Sequence, residues 1–214
     1  MLDLNSMNQM QLDAIREIGN IGAGHAATAL SEMLGCMVEI DIPKAELISI
    51  YNLNSYYDEP DATYAAVFAT SDNDKPFNFM LLIKEADVSK IVGMLVAKQF
   101  GMQMDASSMP GEMMESALGE IGNILLGSFL TSVNGLLGLS SGISTPSITH
   151  DTLASILSFV SAMFGQYGDL ALVTKSQLNV RPEGQEHAEA IDANILLASE
   201  PDALEMLLKT LGIV

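Results

Sequence analysis

The sequence is poor in the residues on which metal and redox chemistry depend. Its 214 residues include one cysteine, no tryptophan and three scattered histidines, His25, His150 and His187. Without a Cys pair, a G-x-S-x-G turn or an H-E-x-x-H helix, neither a metalloenzyme nor a triad hydrolase is expected. Cys36 has no partner for an internal bridge, and its apolar neighbours Leu34, Met37 and Val38 mark it as a packing residue. Basic residues are scarce too: nine Lys and Arg stand against 27 Asp and Glu, a formal net charge of −18. Such a chain repels nucleic acid and anionic lipid, and a charged partner is expected to be basic where it touches; the alternative is that acidity only keeps an apolar protein in solution. No apolar run approaches the ~20 residues that span a bilayer, and Met1 to Gln11 has neither a basic start nor an apolar core, so the expected location is cytoplasmic.

What the sequence does contain is apolar surface and a repeat. Hydrophobic residues make up 49% of the chain, which places it among compact globules and far from disordered chains. Sliding the sequence by 103 residues aligns Met10 with Met113, Ala14 with Ala117, Glu17-Ile18-Gly19-Asn20-Ile21 with Glu120-Ile121-Gly122-Asn123-Ile124, and Gly24 with Gly127. The same register continues through Thr28/Thr131, Leu34/Leu137, Gly35/Gly138, Ile40/Ile143 and Pro43/Pro146 without a gap. A match sustained over so long a window points to duplication. The ends of the halves also correspond, but at an offset of 115 (Asp87 and Asp202), so the second half carries an insertion.

Each half reads as helix, strands, helix. The first helix is expected from Asn8, capped with Gln11, to the terminator Gly35; its twin runs from Ser108 and Pro110 to Gly138. Strands are expected at Met37 to Ile42, Ala62 to Ser71 and Phe77 to Lys84, followed by a helix from Glu85 to Phe100. In the second half, Leu139 to Thr145 reads as a weak strand and Asp151 to Gly165 as an apolar helix without a counterpart, the candidate insertion. Leu170 to Leu178 and Ala188 to Ala198 are then strands around a turn at Arg181 to Gln185, and Pro201 to Leu211 is the last helix. The expected fold class is α+β with pseudo-two-fold symmetry, one domain built from repeats at about 8–102 and 108–214, its long motif helices packed on a β-sheet.

On the repeated helix, Asp13, Glu17, Asn20 and Gly24 advance by four, three and four, and so share one face; Ser116, Glu120, Asn123 and Gly127 form the twin stripe. Leu12, Ile15, Gly19, Gly22, Ala26 and Leu30 fall on another, small and apolar face suited to close packing, which leaves the polar stripe to solvent. Asn is a modest helix former and Gly costs about 1 kcal/mol relative to Ala, so a stripe holding both twice gives up helix stability. A carboxylate can pair with an ammonium, a carboxamide can hold a water at a defined angle, and a glycine admits a partner's backbone. Shared ancestry alone would also keep ordinary solvated residues, but the flanking Ala23/Leu126, Ala26/Phe129 and Glu32/Gly135 have diverged around them.

The pattern Asp13-x-x-x-Glu17-x-x-Asn20, then 22 residues, then Pro43, recurring as Ser116-x-x-x-Glu120-x-x-Asn123 to Pro146, resembles the signature of the CheC, CheX and FliY family of chemotaxis phosphatases. The two-site layout resembles the CheC type. The resemblance implies hydrolysis of the aspartyl phosphate of a CheY-type response regulator without a nucleophile of the phosphatase's own. Glu17 or Glu120 would pair with the regulator's active-site lysine, Asn20 or Asn123 would orient the attacking water, and Mg²⁺ would belong to the regulator, with no cofactor in this chain. It also implies a second partner, the CheD receptor deamidase, docked on the helix that follows Pro146, with Asp151 at its start. The same stripe would equally serve a non-catalytic adaptor that sequesters a regulator or the deamidase.

Overall fold

Two glycines in the left-handed conformation set the length of the long helices. The computed structural model describes residues 8–101, 109–164, 170–181, 187–199 and 201–210. Helix α1 (Gln9–Leu34) ends where Gly35 takes φ +66° and donates its N–H to the Ser31 carbonyl at 2.9 Å. The twin helix α4 (Gly111–Leu137) opens after Pro110 and ends at Gly138, φ +64°, whose N–H meets the Asn134 carbonyl. A residue with a Cβ would be strained at either terminus. The cap contact of Gln11, the packing of Leu12 and Ile15, the start at Ser108 and the turn at 182–185 lie outside the described residues.

Between the long helices run β1 (Met37–Ser49), a 3-10 turn (Ile50–Asn52) leading into the single turn α2 (Leu53–Tyr56), β2 (Thr63–Thr70), β3 (Phe77–Lys84) and α3 (Glu85–Phe100). After α4 follow β4 (Ser147–Thr152), α5 (Leu153–Phe164), β5 (Leu170–Arg181), β6 (Glu189–Ser199) and α6 (Pro201–Thr210). Among the described residues the strands form one antiparallel sheet in the order β1-β5-β6-β3-β2-β4. Exchanging β1 with β4, β5 with β2 and β6 with β3 only reverses that order, so a pseudo-two-fold axis passes between β6 and β3. The first strand of each half pairs with the second strand of the other, and the two repeats are interleaved through the sheet.

Three expectations need correction. Leu139 to Thr145 is not a strand: it meets the end of β2 through the bridge Ser71–Ile143 and the bonds between Ser144 and Thr70, and the strand follows it at Ser147–Thr152. The reason is local. Asn134 holds Ser141, donating to its carbonyl and accepting from its hydroxyl, each at 2.8 Å, while the Gly142 N–H donates to Asp72 Oδ1 at 2.7 Å, so side chains take the place of a ladder. The helix expected from Asp151 starts at Leu153, with Asp151 in β4 opposite Tyr64 and the Thr152 hydroxyl accepting the Ser155 N–H at 3.3 Å as its cap. Nor is α5 wholly inserted. Ile50, Leu53 and Tyr57 stand 103 residues before Leu153, Ile156 and Val160, and all six are buried in the same cluster, so the 3-10 turn and α2 are its short counterpart. The extra residues come later. Ser49 pairs with Leu170 and Thr152 with Thr63, so the offset of 103 between Ser49 and Thr152 has grown to 107 between Thr63 and Leu170.

The sheet separates two apolar layers. On one face α1, α3, α4 and α6 bury Ala26, Leu30, Ile91, Leu118, Leu125 and Leu207 against Val67, Phe79, Leu81 and Ile195. On the other, α2 and α5 cover Tyr64, Ala66, Leu82 and Leu196. Helix α4 is long enough, and over one 18-residue stretch apolar enough, to cross a bilayer, a property that its interspersed polar residues hide from a search for unbroken apolar runs; 56% of that stretch is buried inside the fold. Cys36 is half-buried against the larger cluster, and burial raises its thiol pKa.

Candidate functional site

Small residues let α1 and α4 lie side by side and close to the sheet. A Cβ on Gly22 would stand 3.1 Å from the Phe129 Cα, and one on Gly122 would stand 2.5 Å from Val67 Cγ1, closer than packed atoms allow. These glycines hold the buried faces down. The faces turned away carry both polar stripes: Asp13, Glu17, Asn20 and Gly24 on α1 are exposed, as are Ser116, Glu120 and Asn123 on α4, with Gly127 half-buried. Gly24 is unlike the packed glycines, since a Cβ there would meet nothing within 4 Å. Its helical conformation does not require glycine, and neither does its packing.

The stripe also extends one turn beyond the motif. Thr28 donates its hydroxyl to the Gly24 carbonyl at 3.1 Å, and Thr131 donates to the Gly127 carbonyl at 2.8 Å. The repeat register had already paired these threonines, but spacing alone gave no reason to add them to the site. At the start of the first stripe, Asp13 accepts from Gln9 Nε2 at 3.2 Å and meets Arg16 at 3.6 Å, a solvated pair of small energetic weight.

Around the stripes the halves differ. Asn123 borders a shallow depression of about 320 Å³, walled by Gly127, Ser128 and Thr131 of α4 and by Ser141, Gly142 and Ile143 of the following loop, with Ala29 of α1 across from them. In the first half the corresponding positions carry His25 for Ser128, Val38 for Ser141 and Glu39 for Gly142, of which His25 and Glu39 are exposed. His25 Nδ1 lies 3.5 Å from the Ser132 hydroxyl of α4.

Asp151 stands apart from both stripes. It lies on the rim of a largely apolar groove of about 410 Å³ between β4, β2 and α5, lined by Phe68, Ile148, Ile156, Phe159 and Met163. Phe159 is 58% exposed, unusual for a side chain of that size. His150, next to Asp151, pairs instead with Glu85 at 2.8 Å. Among the described residues no three His, Cys, Asp or Glu side chains come together as a cation site.

An interleaved α+β duplication that displays one acidic-plus-amide stripe on each of two adjoining helices defines a class of protein. Residues 10–46 and 113–150, the two stripe helices and the segments that follow them, match the CheC-like family. It is 27% identical over 209 residues to the CheY-P phosphatase CheC of Bacillus subtilis (strain 168), covering 97% of both chains. The X-ray crystal structure of Thermotoga maritima FliY shares the fold over 97% of this chain and 98% of that one, with a TM-score of 0.73 at 21% identity. A chain of the CheX-CheY-BeF3-Mg²⁺ complex from Borrelia burgdorferi also shares it, with a TM-score of 0.51 at 17% identity over 84% of this chain and 96% of that one.

Proposed function

We propose that this protein is a phosphatase that hydrolyses the aspartyl phosphate of a CheY-type response regulator in chemotaxis. The observation that carries the reading is the exposed Glu-x-x-Asn pair at twin positions of α1 and α4, kept where neither packing nor helix formation asks for it. Glu17 or Glu120 pairs with the regulator's active-site lysine and sets the register of docking. Asn20 or Asn123 enters the regulator's site and orients a water for in-line attack on phosphorus; the aspartyl carboxylate leaves and inorganic phosphate is released. An amide suffices in place of a base because the acyl phosphate is labile and Mg²⁺, held by the regulator, neutralises the departing charge. The B. subtilis relative named as a CheY-P phosphatase and the neighbour in complex with CheY, BeF3 and Mg²⁺ support both the reaction and the source of the metal.

In this reading the chain is a single cytoplasmic domain of two repeats, about 8–102 and 108–214, with Asp13, Ser116, Gly24 and Gly127 contacting the regulator beside the catalytic residues. The groove at Asp151 and Phe159 receives a CheD-type deamidase, supported by the exposure of Phe159 and by the carboxylate on the groove's rim. The test is multiple turnover: purified protein is mixed with a large excess of phosphorylated regulator and Mg²⁺, and phosphate release is followed. Many phosphates released per chain is the expected result. Release that never exceeds one per binding site, with the regulator retained, makes the protein an adaptor instead.

A further inference from the structure

We infer that the two stripes serve different substrate surfaces, and that the depression beside Asn123 is a specificity pocket for an uncharged side chain of the regulator; this rests on the phosphatase reading above. Three observations support it. The depression is continuous with the stripe, since Asn123 and Gly127 form one of its walls. Its lining residues carry no charge: the Asn123 amide, hydroxyls, glycine backbone and apolar side chains such as Ile124, Leu130 and Ile143 make it up, in a chain whose net charge is −18. Its far wall is built as a fixed surface, because Asn134 holds Ser141 at 2.8 Å and Asp72 holds Gly142 at 2.7 Å. A pocket whose wall is ordered before binding loses little entropy when a side chain enters it.

The first stripe offers the opposite. There His25 and Glu39 take the places of Ser128 and Gly142, so a docking loop meets an imidazole where the second stripe has a hydroxyl, and an exposed carboxylate where the second stripe has a glycine whose N–H ties down the Asp72 carboxylate. A regulator with a small apolar or hydroxylated residue at this point favours the second stripe; one with a basic residue favours the first. Ser128 and Gly142 thus act on docking, whereas Asn123 acts on the chemistry.

The test isolates each stripe. With Asn20→Ala silencing the first, adding Ser128→His should raise KM for phosphorylated regulator about tenfold, the scale on which filling a pocket discriminates side chains, while kcat changes far less. With Asn123→Ala silencing the second, adding His25→Ser, a change at an exposed position, should lower KM several-fold. Unchanged KM in both backgrounds overturns the pocket, as does a loss confined to kcat. If the wild type turns over and the Asn20→Ala protein does not, the second stripe is not a working site; if the wild type shows no turnover either, the phosphatase reading is what fails. The pocket is then decided by calorimetry with regulator activated by BeF3⁻ and Mg²⁺, where Ser128→His must still weaken binding about tenfold or the inference falls.

Discussion

The two halves keep different things at their twin positions, and the difference separates what the fold needs from what it does not. Where each long helix hands over to the following segment, both halves hold that segment with a side chain from the last helical turn, but not with the same chemistry. In the first half the Ser31 hydroxyl accepts the Val38 N–H at 3.0 Å; in the second, 103 residues on, Asn134 donates to the Ser141 carbonyl at 2.8 Å. Folding asks for a tie there and accepts either residue. Glu17/Glu120 and Asn20/Asn123 are the reverse case: the residues are identical, they are exposed, and the core makes no use of them. Identity without a structural demand is what points to a partner.

Breaking the stripes should have the largest effect. Glu17→Lys combined with Glu120→Lys sets an ammonium against the regulator's lysine, and a buried like-charge contact of that kind should lower kcat/KM by about 10²-fold or more, read from steady-state phosphate release. A loss below threefold would mean that neither glutamate meets a cation. Next in size is the contrast between packed and open glycines. Gly122→Leu drives a side chain into Val67 and should destabilise the protein by about 1–3 kcal/mol in denaturant titration. Gly24→Ala enters open space and should stabilise by up to ~1 kcal/mol while weakening regulator binding. Equal effects at the two positions would erase the distinction between a structural and a functional glycine. The smallest effect is remote: Asp151→Lys should weaken deamidase binding about tenfold and leave phosphate release unchanged, since the residue lies in β4 on the groove's rim and away from both stripes.

How far the sequence carried the fold depended on whether each feature leaves a periodic mark. The repeat, the termini at Gly35 and Gly138, the hairpin strands and the exposed stripes all do, and the structure has them within a few residues of expectation. The loop at Leu139 to Thr145 does not. Its conformation is set by Asn134 and by Asp72, which is distant in sequence, so a Ser/Gly-rich stretch that reads as a weak strand is a wall fixed by side chains. Helix α5 reads as an insertion in the sequence because its counterpart, α2, is a single turn with too few residues for a helical period to appear. The depression beside Asn123 left only a negative trace, the places where the repeat fails to match: Ser128 against His25 and Gly142 against Glu39.

The central claim, that two exposed amides each position water in a regulator's site, is tested most directly by comparing phosphate release from Asn20→Ala, Asn123→Ala and the double variant at equal regulator concentration. Independent sites add as rates. Each single variant should therefore keep a substantial share of wild-type turnover, in a ratio fixed by how well the regulator suits each stripe, and the double variant should fall about 10²-fold below wild type while its circular dichroism spectrum is unchanged. A folded double variant that turns over phosphorylated regulator at the wild-type rate would contradict the account.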